Sequence, residues 1–179
     1  MLLAIFFFSF FLTTKYHLRF NETRKFHELN NVNFNLSKEA YLIDEKLSNL
    51  KWITPVYKDN PENEIDFLKY TLRILKEDKR EKMVMTHYLF FSSLLGEKLH
   101  APSRTFSMDG VSFPIKGDKY YPNYKKHISQ IIQNNKIKVI YVISEDVLED
   151  EIVYDYLDKK CINEHSFTDL FKKYELNKC

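Results

Sequence analysis

The chain opens on MLLAIFFFSFFL, in which eleven of twelve residues are apolar or aromatic and Ser9 is the exception. Lys15, His17 and Arg19 follow within five positions. A secretory signal needs a basic n-region, an apolar core and small residues at a cleavage site. No basic residue precedes this run, and the residues after it (Tyr16, His17, Leu18, Phe20) are large. As a helix, residues 1–14 rise only ~21 Å, short of the ~30 Å hydrocarbon layer. A buried core helix would fit the length, but Phe6, Phe7, Phe8, Phe10 and Phe11 leave no polar face. Residues 1–14 therefore read as the C-terminal part of a last transmembrane helix, with earlier spans expected upstream.

Residues 15–30 form a basic juxtamembrane collar carrying Lys15, His17, Arg19, Arg24, Lys25 and His27. Such a collar contacts lipid headgroups or a lipid-linked anion, or serves only to anchor the helix. Asn21-Glu22-Thr23 matches the glycosylation triplet but is too common by chance to carry weight.

Residues 31–179 are expected to form a soluble domain, long enough for a real core. A net charge of +2, with lysines spread along the chain, argues against nucleic acid as a partner. Helix and strand signals alternate. NVNFNL places Val32, Phe34 and Leu36 at period two, a strand signal. SKEAYLIDEKLSNL predicts a helix with Ala40, Ile43, Leu47 and Leu50 as its apolar stripe. KWITP predicts a short strand. NPENEIDFLKYTLRILKEDK predicts a helix with Pro61 at its first position and Glu62 and Glu64 in its first turn. KMVMTH predicts a strand and YLFFSSLLG a short helix closed by Gly96. After an irregular stretch, YYPNYKKHISQIIQNNK predicts a helix and KIKVIYVIS a strand buried on both faces. EDVLEDEIVYDYLDKKC predicts another helix, and the tail one strand or a terminal hairpin. The alternation predicts an α/β fold: a mostly parallel, Rossmann-like three-layer sheet with helices on both faces, behind the N-terminal membrane helix fragment.

In such sheets ligands bind beyond the carboxyl ends of the strands. That rule selects Thr86, His87 and Tyr88 after one strand, Ser144, Glu145 and Asp146 after another, and Arg104 and Asp109 between them. His87 offers a general base and Arg104 an anion clamp, so His87, Arg104, Asp109 and Glu145 are the candidate ligand-binding residues. The plainer reading makes Ser144 an N-cap, Glu145 and Asp146 first-turn acids, and Asp109-Gly110 a turn. The sequence contains no glycine-rich phosphate loop and no G-x-S-x-G elbow. Its six histidines lack metal-ligand spacing, so neither a metal nor a cofactor is expected. Cys161 and Cys179 can pair if the tail folds back as an antiparallel strand, provided the compartment is oxidising.

The collar KYHLRFNETRKF, followed by a domain with THYLFF, PSRTFSMDG and IKVIYVI, resembles the C-terminal soluble part of bacterial multi-spanning membrane proteins of the glycosyltransferase C type, similar to dolichyl-phosphate-mannose and aminoarabinose transferases. The resemblance implies a lipid-linked sugar for the whole protein. It implies an inner-membrane location with this domain in the periplasm, although the positive-inside rule applied to the collar favours the cytoplasm. The family's catalytic acids lie in loops between early membrane helices, so no catalytic residue is carried over, and a non-catalytic domain packed over the membrane core is expected. The alternatives are a single-helix-anchored α/β enzyme or sugar- or nucleotide-binding module, and a membrane-tethered interaction protein.

Overall fold

A computed structural model describes residues 2–23, 29, 31–103, 114, 116–144 and 151–177. By their internal packing, residues 1–66 and 67–179 form two compact units.

In the first unit, α1 (Leu2–Thr23) carries the apolar run. Its phenylalanines 6, 7, 8, 10 and 11 are each 62–65 % exposed, and Phe6 lies 5.8 Å from Phe7 and 6.4 Å from Phe10 between ring centroids. Among the described residues no helix is long and apolar enough to cross a membrane. The expected membrane helix fragment is corrected accordingly: α1 continues beyond the apolar run through Lys15, His17 and Arg19, and the charges within one helix end its apolar length.

Residues 31–50 also depart from expectation. Phe34–Leu36 form a 3₁₀ turn instead of a strand, begun by Asn33, whose Oδ1 accepts from the Asn35 N–H at 3.1 Å. The predicted helix over 37–50 is replaced by a two-residue strand, β1 (Lys38–Glu39), and two 3₁₀ turns, Ala40–Leu42 and Glu45–Leu47. Asp44 divides the turns. Its backbone is extended and its Oδ1 accepts from the Lys46 N–H at 2.9 Å, so the short acid competes with helix continuation. β1 pairs antiparallel with β2 (Lys51–Trp52).

Glu64, in the first turns of α2 (Pro61–Glu77), is fully buried. Its Oε2 accepts from Trp52 Nε1 and from Thr54 Oγ1, both at 2.8 Å. Glu64→Ala removes the acceptor that both donors share and is expected to lower stability by about 1–3 kcal/mol. Urea unfolding followed by the emission of Trp52, the only tryptophan, checks this; an unchanged midpoint would assign the carboxylate no structural part.

The second unit is built on a four-stranded sheet in the order β3-β4-β6-β5. Its strands are β3 (Lys82–Thr86), β4 (Val139–Ile143), β5 (Ile162–Thr168) and β6 (Phe171–Leu176). Between β3 and β4 run α3 (Phe91–Leu95) and α4 (Tyr121–Asn134), and α5 (Glu151–Tyr156) precedes β5. Gly96 ends α3 at φ +65°, the left-handed conformation in which a side chain is disfavoured.

Only β3 and β4 are parallel; β6 runs antiparallel to both β4 and β5. The expected mostly parallel, Rossmann-like sheet is therefore overturned. A parallel neighbour needs a crossover, and the tail instead turns back at Thr168–Phe171 as a hairpin whose second strand lies against β4. β4 is central, and all five of its residues are buried. On one face Met83, Met85, Ile140, Val142 and Tyr174 pack with Ile128 of α4 and with Val153 and Tyr156 of α5. On the other, Tyr141 meets Phe171 at 5.8 Å, and Tyr70 of α2 meets Phe171 at 6.4 Å. Cys161, just before β5, is disulfide-bonded; Cys179, the other cysteine of the sequence, lies outside the described residues.

Candidate functional site

At the carboxyl edge of the parallel pair, the register sets Thr86 opposite Ile143, so His87 and Ser144 leave adjacent strand ends. Thr86 Oγ1 accepts from the Tyr88 N–H at 3.1 Å, closing a tight turn under His87. The His87 ring lies 3.8 Å from that of Tyr88, and its Nε2 is buried. Ser144 is buried, and its N–H donates to the Leu170 carbonyl at 3.0 Å. Arg104, Asp109 and Glu145 lie outside the described residues, so of the four candidate ligand residues only His87 is placed. The cavity at this edge holds about 130 Å³ and is lined by Val84, Thr86, Tyr88, Leu89, Phe91 and neighbours. That is room for a few atoms in a mostly apolar wall.

Of the collar, Lys15 and His17 stand exposed on α1. Arg19 continues the same helix, and Arg24 and Lys25 lie outside the described residues.

The larger cavity, about 570 Å³, lies at the opposite, amino edge of the parallel strands. It is lined by residues 79–82, 97, 98, 100 and 134–136. Three segments build it. The chain entering β3 supplies Lys79, Arg80, Glu81 and Lys82. The segment after α3 supplies Glu97, Lys98 and His100. The end of α4 and the turn into β4 supply Asn134, Asn135 and Lys136. His100 pairs with β3 as one further bridge: the Val84 N–H donates to its carbonyl at 2.7 Å, and its own N–H donates to the Lys82 carbonyl at 3.3 Å. Lys136 holds a left-handed φ of +53°, and Asn135 Nδ2 donates to the Ile131 carbonyl at 2.9 Å. The turn into β4 is thereby held by a left-handed residue and a side-chain bond to the backbone.

The side chain of Lys82 is 4 % exposed, and its Nζ lies 2.8 Å from Glu97 Oε2; Lys79 approaches the same carboxylate at 3.9 Å. His100 Nε2 lies 3.4 Å from Glu81 Oε2. Behind the wall, Arg80 grips Asp78 through Nε at 2.9 Å and Nη2 at 2.7 Å, and reaches Glu175 through Nη1 at 3.1 Å. Tyr141, from β4, donates to Asp78 Oδ2 at 2.7 Å. Burial alone would raise the Asp78 carboxyl. The hydrogen bonds from Arg80 and Tyr141, with the guanidinium charge, outweigh it and hold the group well below the usual carboxylate range. Glu175 is also lowered, by hydrogen bonds from Lys173 and Arg80. Burial and the Asp78 acceptor push Tyr141 above the ordinary phenol range.

The rule of carboxyl strand ends directs a reader of the sequence to the wrong edge for this cavity. The signal that marks it is charge density before the two parallel strands, KEDKREK before β3 and NNKIK before β4, in a chain nearly neutral overall. Among the described residues no group of three or more His, Cys, Asp or Glu side chains is placed to hold a metal ion. No protein-family model matches the chain, and no curated protein or solved structure does.

Proposed function

We propose that this protein works at a lipid surface as a binding domain, with α1 entering the bilayer interface without crossing it. The observation that carries the reading is the run of five phenylalanines on α1, each 62–65 % exposed and distributed around the helix. Exposed apolar surface of this extent marks an interaction site, and the cover must be apolar on every side, which lipid is. Residues 2–14 of the helix rise about 20 Å, enough for one leaflet's acyl layer and short of two. Lys15 and His17 then stand within the next turn, at the depth of anionic headgroups. The resemblance to glycosyltransferase C-type proteins makes a lipid-linked sugar the proposed ligand of the protein as a whole. The half-cystine at Cys161 supports an oxidising compartment, the periplasm, for the second unit.

Flotation of the full chain with phosphatidylcholine–phosphatidylglycerol vesicles tests the reading. The parent chain is expected to float. Each phenylalanine moved from water to lipid contributes about 1.5–3 kcal/mol, so Phe7→Ser with Phe10→Ser is expected to weaken partitioning by at least about a hundredfold. A parent chain that stays at the bottom of the gradient, or a double variant that floats equally well, would reject it.

A further inference from the structure

We infer that the amino-edge cavity of the second unit is a binding site for a small phosphate-bearing anion. Its walls carry five permanent cations, Lys79, Arg80, Lys82, Lys98 and Lys136, against two carboxylates, Glu81 and Glu97. Arg80 is committed to Asp78 and Glu175, and Lys82 to Glu97. Among the described residues, Lys98 and Lys136 have no carboxylate within 4.0 Å and stand exposed on the rim. The plainest alternative is that lysines here only complement helix ends. The last carbonyls of α4 supply about half a negative charge, which leaves the wall positive. A surplus of positive charge around a depression concentrates anions there.

The cavity's volume of about 570 Å³ lies within the range of sites for small ligands. Its predominantly polar lining, rich in ammonium groups, suits an anion of several charges, with those groups acting as point-charge phosphate binders. The walls are pre-formed by the His100 bridge to β3 and the fixed turn at Lys136, which lowers the ordering cost of binding. The phosphate can belong to a free small molecule or to a lipid headgroup. Only the second source rests on the lipid-surface reading.

Calorimetric titration of the full chain with inorganic pyrophosphate, with sulfate at equal ionic strength as control, tests the site. The parent chain is expected to bind pyrophosphate in preference to sulfate. Lys98→Gln with Lys136→Gln is expected to bind at least about tenfold more weakly while melting at the parental temperature, since both side chains are exposed. A parallel arm uses the Phe7→Ser, Phe10→Ser chain with phosphatidylcholine vesicles containing phosphatidic acid. Capture there that the two lysine replacements remove, without pyrophosphate binding, assigns the same cavity to a lipid phosphate. If neither probe shows a response that depends on Lys98 and Lys136, the inference is overturned, and flotation through α1 stands or falls separately.

Discussion

Ile140→Asp is expected to unfold the second unit. Ile140 sits at the middle of the central strand with 1 % of its surface exposed. Its register partners are Met83 on β3 and Tyr174 on β6, and its side chain packs in the cluster with Ile128, Val153 and Tyr156. A carboxylate placed there would lie among the apolar side chains of that cluster. Burying it costs several kcal/mol whether it stays charged or takes up a proton, and the isoleucine's own burial, about 2 kcal/mol, is lost as well. Together these approach the 5–15 kcal/mol that holds an ordinary domain folded. Far-UV circular dichroism should show no cooperative melt for residues 67–179, whereas Ile140→Val should melt cooperatively with a loss of about 0.5–1.5 kcal/mol. An aspartate variant that melts like the parent would remove Ile140 from the core.

The same strand shows why part of this fold is legible in sequence. KVIYVI is apolar at every position, and a run without alternation fits only a strand covered on both faces. Its central place follows from that pattern alone. Strand direction does not. One crossover, β3 through α3 and α4 to β4, produces the parallel pair, but the direction of the last strand depends on a turn of a few residues after Thr168. The expectation of a mostly parallel sheet extended one crossover to the whole chain. In residues 37–50 the apolar spacing of Ala40, Ile43, Leu47 and Leu50 suits a helix. Asp44 bonds to the Lys46 N–H instead, Asn49 adopts a φ of +70°, and Leu50 ends 55 % exposed. Local polar bonds of this kind outcompete a weak periodicity.

The candidate site was legible to a different degree at each edge. His87 and Ser144 share one edge because β3 and β4 are parallel and in register, which the positions of the two strand signals imply. The amino-edge cavity depends on facts with no periodic signature: the bridge of His100 to Met83, and the left-handed turn at Lys136 that brings NNK beside the start of β3. Lys82 opens a strand whose remaining residues are apolar or threonine. Its burial with Glu97, fifteen positions later, becomes visible only in three dimensions.

The second large effect is expected at Asp78, which ties the end of α2 to the sheet. Its side chain is 10 % exposed. It accepts the Tyr141 hydroxyl at 2.7 Å, the Arg80 backbone N–H at 3.0 Å, and the Arg80 guanidinium. Asp78→Ala leaves the Tyr141 hydroxyl without this acceptor and releases Arg80, an expected loss of about 3 kcal/mol. Tyr141→Phe removes only the donor and is expected to cost about 1 kcal/mol. Because the two residues share a bond, the double variant should lose less than the two single losses together, by about 0.5–1 kcal/mol. The pH dependence has a definite sign. The folded Asp78 carboxyl lies well below its unfolded value of about 3.9, so its contribution is complete above that value. It is lost as pH falls through the folded pKa. Tyr141 is raised, so its contribution is complete below about pH 10 and is lost as the pH climbs through the folded value. Chemical denaturation of the parent and Asp78→Asn should therefore give a stability difference that is constant from neutral pH down to the ordinary carboxylate range and shrinks in stronger acid. A difference that stays the same in strong acid would show that the charge on Asp78 contributes nothing to holding α2 against β4.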